Sequence, residues 1–313
     1  MATVSGPVVS SARLSAFVFV SSASFVAIVT FAFPQASRAQ TTDAIGVRAQ
    51  GMAGAFTAVA DDATATYWNP AGLAGGALFN GLLEYARPDR DLSETVRGFS
   101  AAYPALGIAY YRLPVSQIRA KASTGTTSPG REDQGVLSLY GVTVGQSLGE
   151  HLVIGSTIKL LHADDSHLAV DIGAMATLGP ARVGVTLRDV TEPTLDNGGA
   201  ALTLERHARV GFALTSGKRG VIGQATFSID ADLTKTDSFG GEQRDFAVGG
   251  EAWMPKQTLG IRGGFSKNTA GSGGTLLSGG FSLMLKRGNF VDVYASTGDA
   301  VRHGWGLDLR VTF

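Results

Sequence analysis

From residue 77 to its last residue the chain alternates apolar and polar positions with a period of two, the spacing of strands and not of helices. Val221, Gly223, Ala225, Phe227, Ile229, Ala231 and Leu233 share one parity, and Gln224, Thr226, Ser228, Asp230 and Asp232 hold the other. Leu277, Gly279, Phe281, Leu283 and Leu285 likewise oppose Ser278, Ser282 and Lys286. The pattern predicts fourteen strands, near 77–86, 96–103, 106–113, 135–145, 152–162, 167–178, 181–190, 206–214, 221–234, 244–253, 258–266, 275–286, 289–296 and 304–313. Most reach the roughly 9–11 residues that a tilted strand needs to cross a bilayer.

Alternation alone fits a soluble sandwich as well, with its apolar face turned inward. The connections separate the two. They run long and then short: 87–95 then 104–105, 114–134 then 146–151, 191–205 then 215–220, 267–274 then 287–288. A membrane barrel sorts its loops by end in this way, and a sandwich has no reason to. The last segment sets Trp305, Leu307, Leu309, Val311 and Phe313 against Gly306, Asp308, Arg310 and Thr312, and ends on an aromatic residue. The expected fold class is all-β: a transmembrane antiparallel β-barrel of about fourteen strands.

Composition agrees. Charged residues make up 17% of the 313 and glycines number 42, against about 25% charged and 7% glycine in ordinary domains. The 26 basic and 26 acidic residues balance, so nothing points to nucleic acid. With no cysteine, thiolate metal sites and cysteine nucleophiles are excluded. Residues 1–39 read as a cleaved secretory signal: Arg13, an apolar run from Leu14 to Phe33, then Ser37-Arg38-Ala39 before the cut. Residues 40–76 then form an N-terminal segment and 77–313 the barrel.

With the apolar parity facing lipid, the lumen receives Lys159, Asp171, Arg182, Arg188, Arg209, Asp230, Asp232, Glu251, Arg262, Lys286, Asp292, Asp308 and Arg310. Each Lys or Arg on the lipid side near mid-bilayer would cost about 2–4 kcal/mol. These charges either brace the wall across strands or form a selectivity or binding surface. A barrel of this size also encloses more space than its own side chains fill.

No catalytic constellation emerges. His151, His162, His167, His207 and His303 lack the spacing of a helical zinc site and fall near strand ends, where solvated turn positions are expected. Asp61-Asp62 suits a helix N-cap better than a calcium loop. Gly46, Gly51 and Gly54 are not spaced as a dinucleotide fingerprint. The expectation is a protein that is not an enzyme and uses neither metal nor cofactor.

One stretch departs from the period of two. It runs Gly46-x-Arg48-Ala49-x-Gly51-Met52-x-Gly54-Ala55-Phe56-Thr57-Ala58-Val59-Ala60-Asp61-Asp62-Ala63 and closes with Tyr67-Trp68-Asn69-Pro70-Ala71-Gly72-Leu73. Asn69-Pro70 imposes a turn. Gly51, Gly54 and Gly72 would let the backbone pack closely against a barrel wall. Tyr67 and Trp68 would bury an apolar body with their polar tips on lumen partners. This stretch resembles the N-terminal signature of the FadL-like superfamily of outer-membrane barrels, which spans FadL/TodX transporters and the PorV/PorQ proteins of type IX secretion.

The resemblance implies a bacterial outer-membrane barrel with an N-terminal hatch in its lumen. Phe56, Asp61, Asp62, Tyr67, Trp68, Asn69 and Pro70 then line the gate or the substrate path, over lumen charges that include Arg182, Arg188, Asp230, Asp232, Arg262, Asp308 and Arg310. It also implies that Trp305 and Phe313 sit in a terminal strand read by the barrel-assembly machinery. The partners are outer-membrane lipids, that machinery, and either a small apolar substrate or secretion components. The hatch either braces the barrel or moves as a gate. Transport predicts an open apolar pocket beneath the long loops, lined in part by Phe56, Tyr67 and Trp68. The mature chain of about 274 residues is short for carriers of long hydrophobic substrates, and the loops 114–134 and 191–205 are polar. Both points favour the PorV/PorQ-like alternative.

Overall fold

The structure, a computed structural model, describes residues 44–88, 95–114, 136–163, 165–197, 200–218, 220–238, 241–271, 273–298 and 303–313. The expected signal 1–39, most of the 114–134 loop and Asp164 lie outside these residues. The strands are β1 (Asn80–Arg87), β2 (Val96–Tyr103), β3 (Leu106–Pro114), β4 (Val136–Ser147), β5 (Leu152–His162), β6 (Ser166–Leu178) and β7 (Ala181–Arg188). They continue with β8 (Thr194–Asn197), β9 (Ala200–Thr203), β10 (His207–Ser216), β11 (Gln224–Asp232), β12 (Thr236–Ser238), β13 (Gly241–Gln243) and β14 (Asp245–Trp253). The last are β15 (Leu259–Asn268), β16 (Gly274–Lys286), β17 (Asn289–Gly298) and β18 (Trp305–Thr312).

Among the described residues, fourteen of these strands close into one antiparallel barrel in which each pairs with its sequence neighbour and β1 pairs with β18. Every expected strand is present within a few residues of its predicted limits. The long connections at one end carry two short hairpins besides, β8–β9 and β12–β13. Closure leaves no strand edge unpaired, which a sheet crossing hydrocarbon requires.

The exterior is apolar. Leu83, Phe99, Ile108, Val142, Ile158, Leu168, Ile172, Phe227, Ile261, Leu277 and Leu309 are all exposed. A soluble protein does not leave so many large apolar side chains in water, and a membrane-spanning barrel must. Aromatic rings mark both rims. Phe79 stacks on Phe313 at 5.7 Å beside Tyr103 at the short-connection end, and Tyr85 meets Trp305 at 5.8 Å at the other.

The buried parity faces the lumen and carries the charges. Arg188, Asp230, Asp232, Arg262, Asp308 and Arg310 are buried, and Arg182 is partly so. Lys286 departs from the expectation. The register shifts between Met284 and Lys286, which breaks the wall's alternation and leaves Lys286 exposed at the end of β16, opposite Asn289.

Residues 44–76 lie inside this barrel. The segment contains two short helices, α1 (Val47–Gly51) and α2 (Ala65–Trp68), and a 3₁₀ turn over Pro70–Gly75. Helix α1 packs on β15–β18, and the 3₁₀ turn packs on β2–β6 across the lumen. The room comes from the wall. A Cβ built on Gly155 of β5 would lie 2.4 Å from the Pro70 carbonyl carbon, and one on Gly184 of β7 would lie 2.5 Å from the Thr57 oxygen. Gly173, Gly211, Gly249 and Gly264 stand equally close to Asn69, Ala58 and Met52. These lumen-facing glycines belong to adjoining strands, with Gly155 opposite Gly173, Gly184 opposite Gly211 and Gly249 opposite Gly264. They form a belt of bare backbone. Of the segment's own glycines, expected to provide this closeness, Gly51 does so against Arg262 of β15, 2.6 Å from a built Cβ, whereas Gly72 abuts Ala60 and Gly54 abuts Trp68, both within the segment.

Candidate functional site

The inner segment is tied down by wall side chains that hydrogen-bond to its buried backbone groups. Both Glu84 oxygens accept the Gly46 N–H, at 2.9 and 3.0 Å. Asp230 Oδ2 accepts Phe56 N–H at 3.1 Å and Thr57 N–H at 2.7 Å. Asn80 Oδ1 accepts Ala63 N–H at 2.9 Å. In the other direction, Thr157 Oγ1 donates to the Thr66 carbonyl at 3.0 Å and Ser278 Oγ to the Gln50 carbonyl at 2.5 Å. Asn69, which takes extended backbone before Pro70, donates from Nδ2 to Thr57 O at 2.9 Å and to the wall at Ala174 O at 3.3 Å.

Arg48 is the segment's electrostatic hub. It pairs with Asp61 at 2.5 Å and Asp62 at 3.1 Å, and reaches the wall through a two-pronged contact with Glu251. Burial pulls its guanidinium down, but Asp61, Glu251 and Asp62 outweigh that and hold it raised and charged. The Asp pair therefore serves mainly as counter-charge. Asp62 does accept Thr64 N–H at 2.9 Å ahead of α2, while Asp61 turns to Arg48 and to Arg182 at 3.6 Å.

The wall charges pair among themselves. Lys159 bridges Asp171 at 2.8 Å and Asp189 at 2.6 Å. Arg209 meets Asp232 at 2.6 Å, and Asp292 holds Arg310 at 2.8 Å and Arg262 at 3.2 Å. His207, expected in a solvated turn, is instead buried between Asp232 at 2.9 Å and Arg188 at 3.0 Å. Asp308 of β18 lies opposite Glu84 on one side and Asp292 on the other. Among the described residues no group of three or more His, Asp or Glu side chains could hold a metal ion.

Phe56, Tyr67 and Trp68 do not line an open pocket. All three are buried and packed edge to face, with Trp68 6.0 Å from each of the others. Guanidinium groups cover them: Arg48 over Phe56 at 5.2 Å, Arg188 over Tyr67 at 4.9 Å and Arg209 over Trp68 at 5.7 Å. The indole N–H donates to Ile45 O at 2.9 Å, inside the segment and not to the lumen wall as expected.

These rings belong to one hydrophobic cluster that continues to the long-loop end through Val96, Leu113, Leu137 and Leu161. Leu195 of β8 and Leu204, just after β9, belong to the same cluster. The 191–205 loop is thus not wholly polar. At the short-connection end lies a cavity of about 210 Å³ lined by Arg48, Asp61, Asp62, Arg182, Gln224, Glu251, Gln257, Arg310 and Thr312, among others. It is polar where the opposite end is apolar.

No family model matches the sequence, and no curated protein matches it. Solved structures do match. The CymD monoaromatic hydrocarbon channel aligns over 90% of this chain and 99% of its own, at 12% identity and a TM-score of 0.55. The Ralstonia pickettii toluene transporter TbuX aligns over 87% and 99%, at 10% identity and 0.58. A Pseudomonas aeruginosa FadL homologue aligns over 88% and 100%, at 10% identity and 0.54. At these identities the likeness speaks for architecture, and it extends over nearly the whole length of each barrel. The chain has the fold of the FadL-type outer-membrane barrels.

Proposed function

We propose that this protein is a bacterial outer-membrane barrel for passive uptake of small hydrophobic molecules, exported by its N-terminal signal and inserted through a terminal strand that ends at Phe313. The observation that carries this reading is the polarity of the lumen. A barrel with buried ion pairs over most of its wall keeps one apolar sector, Val96, Leu113, Leu137 and Leu161, at the end where long loops emerge, and that sector runs on to Tyr67 and Trp68. Scaffolding alone does not call for such segregation, whereas an apolar molecule arriving from outside would partition into it. The inner segment then acts as the hatch beneath. The test is uptake of a labelled small hydrocarbon by cells carrying the chain, with binding of the same compound to purified barrel. Uptake above that of cells lacking the chain is expected. Neither uptake nor binding, in the wild type or after deletion of 44–76, ends this reading.

The packed state of Phe56, Tyr67 and Trp68 favours a second reading, a PorV/PorQ-like accessory that binds exported proteins on its long loops. Recovery of secretion components with the purified barrel, together with no hydrocarbon uptake, decides for it.

A further inference from the structure

Two arginines stand side by side on the lipid side of the wall. Arg97 of β2 and Arg112 of β3 are register partners, and both are exposed. They belong to a row that crosses the outer face at the long-loop end: Tyr85, Arg97, Arg112, Ser138 and His162, each paired with the next. Tyr85 meets Trp305, so the cations stand at the level of the aromatic girdle, where lipid headgroups begin. One step toward mid-membrane the same strands set Phe99, Tyr110 and Tyr140 side by side, with ring centroids 6.0 and 4.9 Å apart.

The pairing of Arg97 with Arg112 is unfavourable by itself. Cross-strand partners hold their Cβ atoms about 5 Å apart, and like charges placed so repel. Arg97 lies over the Tyr85 ring at 5.5 Å and donates from Nε to Thr95 Oγ1 at 3.1 Å, contacts that bring no negative charge. Among the described residues no carboxylate comes within ion-pair distance of either guanidinium. The lumen side of the same wall is built the opposite way, with Lys159, Arg209 and Arg310 each set against an aspartate.

We propose that Arg97 and Arg112 hold a phosphate of a multiply acylated glycolipid of the outer leaflet, with its chains lying on the Phe99–Tyr110–Tyr140 row below. A phosphate between two guanidinium forks turns their repulsion into charge-assisted hydrogen bonds. Ser138 and His162 continue the polar row for the rest of the headgroup, and the ring faces take methylene chains. A free anion would meet the cations and leave the rings unused. The site lies on the outside of the wall, so it stands or falls apart from the uptake reading.

The test is a titration of the full barrel, purified in mild detergent and freed of co-purified lipid, followed by native mass spectrometry. The probes are lipid A, lipid A with its phosphates removed, and inorganic phosphate. The wild type is expected to bind a single lipid A. Arg97→Gln/Arg112→Gln should weaken that binding roughly tenfold or more, and removal of the phosphates should weaken it by a similar factor. Lys286→Gln/Arg287→Gln removes the same charge from exposed positions at the short-connection end and should leave binding unchanged. Tyr140→Ala should cost a smaller factor, about threefold. Heat-modifiable mobility in gels checks that each variant is a folded barrel. Equal binding by the wild type and Arg97→Gln/Arg112→Gln overturns the proposal, as does an equal loss in the two double variants or indifference to phosphate removal. Displacement of lipid A by inorganic phosphate at equal concentration overturns it too, since the site would then be one for a free anion.

Discussion

At Asp230 one carboxylate oxygen holds two successive N–H groups of a segment that is far away in sequence. Asp230→Ala leaves Thr57 N–H buried without a partner, at about 1–3 kcal/mol, while Phe56 N–H keeps the Gly54 carbonyl at 2.9 Å. Chemical denaturation of the detergent-solubilised barrel should show a loss in that range or above. The loss should be smaller for Asp230→Asn, which keeps an acceptor. The Arg48–Glu251 contact makes a sharper prediction. Arg48→Met strands the buried carboxylates of Glu251 and Asp62, at about 3–5 kcal/mol, whereas Glu251→Leu leaves Arg48 with Asp61 and Asp62 and costs less. Once Arg48 is gone, the loss of Glu251 removes a stranded charge. A double-mutant cycle with Arg48→Met and Glu251→Leu should therefore be strongly non-additive. Additive losses would mean that Arg48 is held by Asp61 and Asp62 alone.

At the scale of elements, period-two alternation located every barrel strand, because burial on one face and lipid on the other impose opposite polarities on neighbouring positions. Where a position has no polarity the pattern goes blind. Gly155, Gly184, Gly211 and Gly249 sit at lumen parity yet register as gaps, so the belt they form could not be read. Glu84 escaped notice because apolar Leu82 and Ala86 share its inward parity and dilute the alternation of β1. The Leu195 and Leu204 pair was hidden in a loop that is polar on average. The belt also yields a prediction. Gly184→Val suits a strand by propensity, yet its Cβ would meet the Thr57 carbonyl at 2.5 Å. The barrel should still form while the inner segment fails to seat, and planar-bilayer recordings should show ion conductance that the wild type lacks. A silent Gly184→Val channel would mean that the wall yields instead.

The whole molecule divides into a wall, an inner segment and a seam. Deleting residues 44–76 removes the partners of the belt and leaves a lumen of paired charges. The variant should insert and conduct ions, measurably more than any single-residue change in the segment. The seam lies where the inner segment joins the wall: Phe79 and Phe313 exchange backbone hydrogen bonds at 3.4 and 3.0 Å, and β1, which pairs with β18, begins one residue later. Glu84, on that first strand, grips Gly46 at the far end of the segment. The order of biogenesis follows. Once β1 and β18 have joined, a folded chain of this bulk has no side way in, so the segment must already be coiled in place when the last strand zips home. Enclosure and sealing are then a single event in time, and Trp68 fluorescence, isolated in a Trp253→Phe/Trp305→Phe background, should reach its native signal at the same rate as the barrel gains its resistance to heat and detergent.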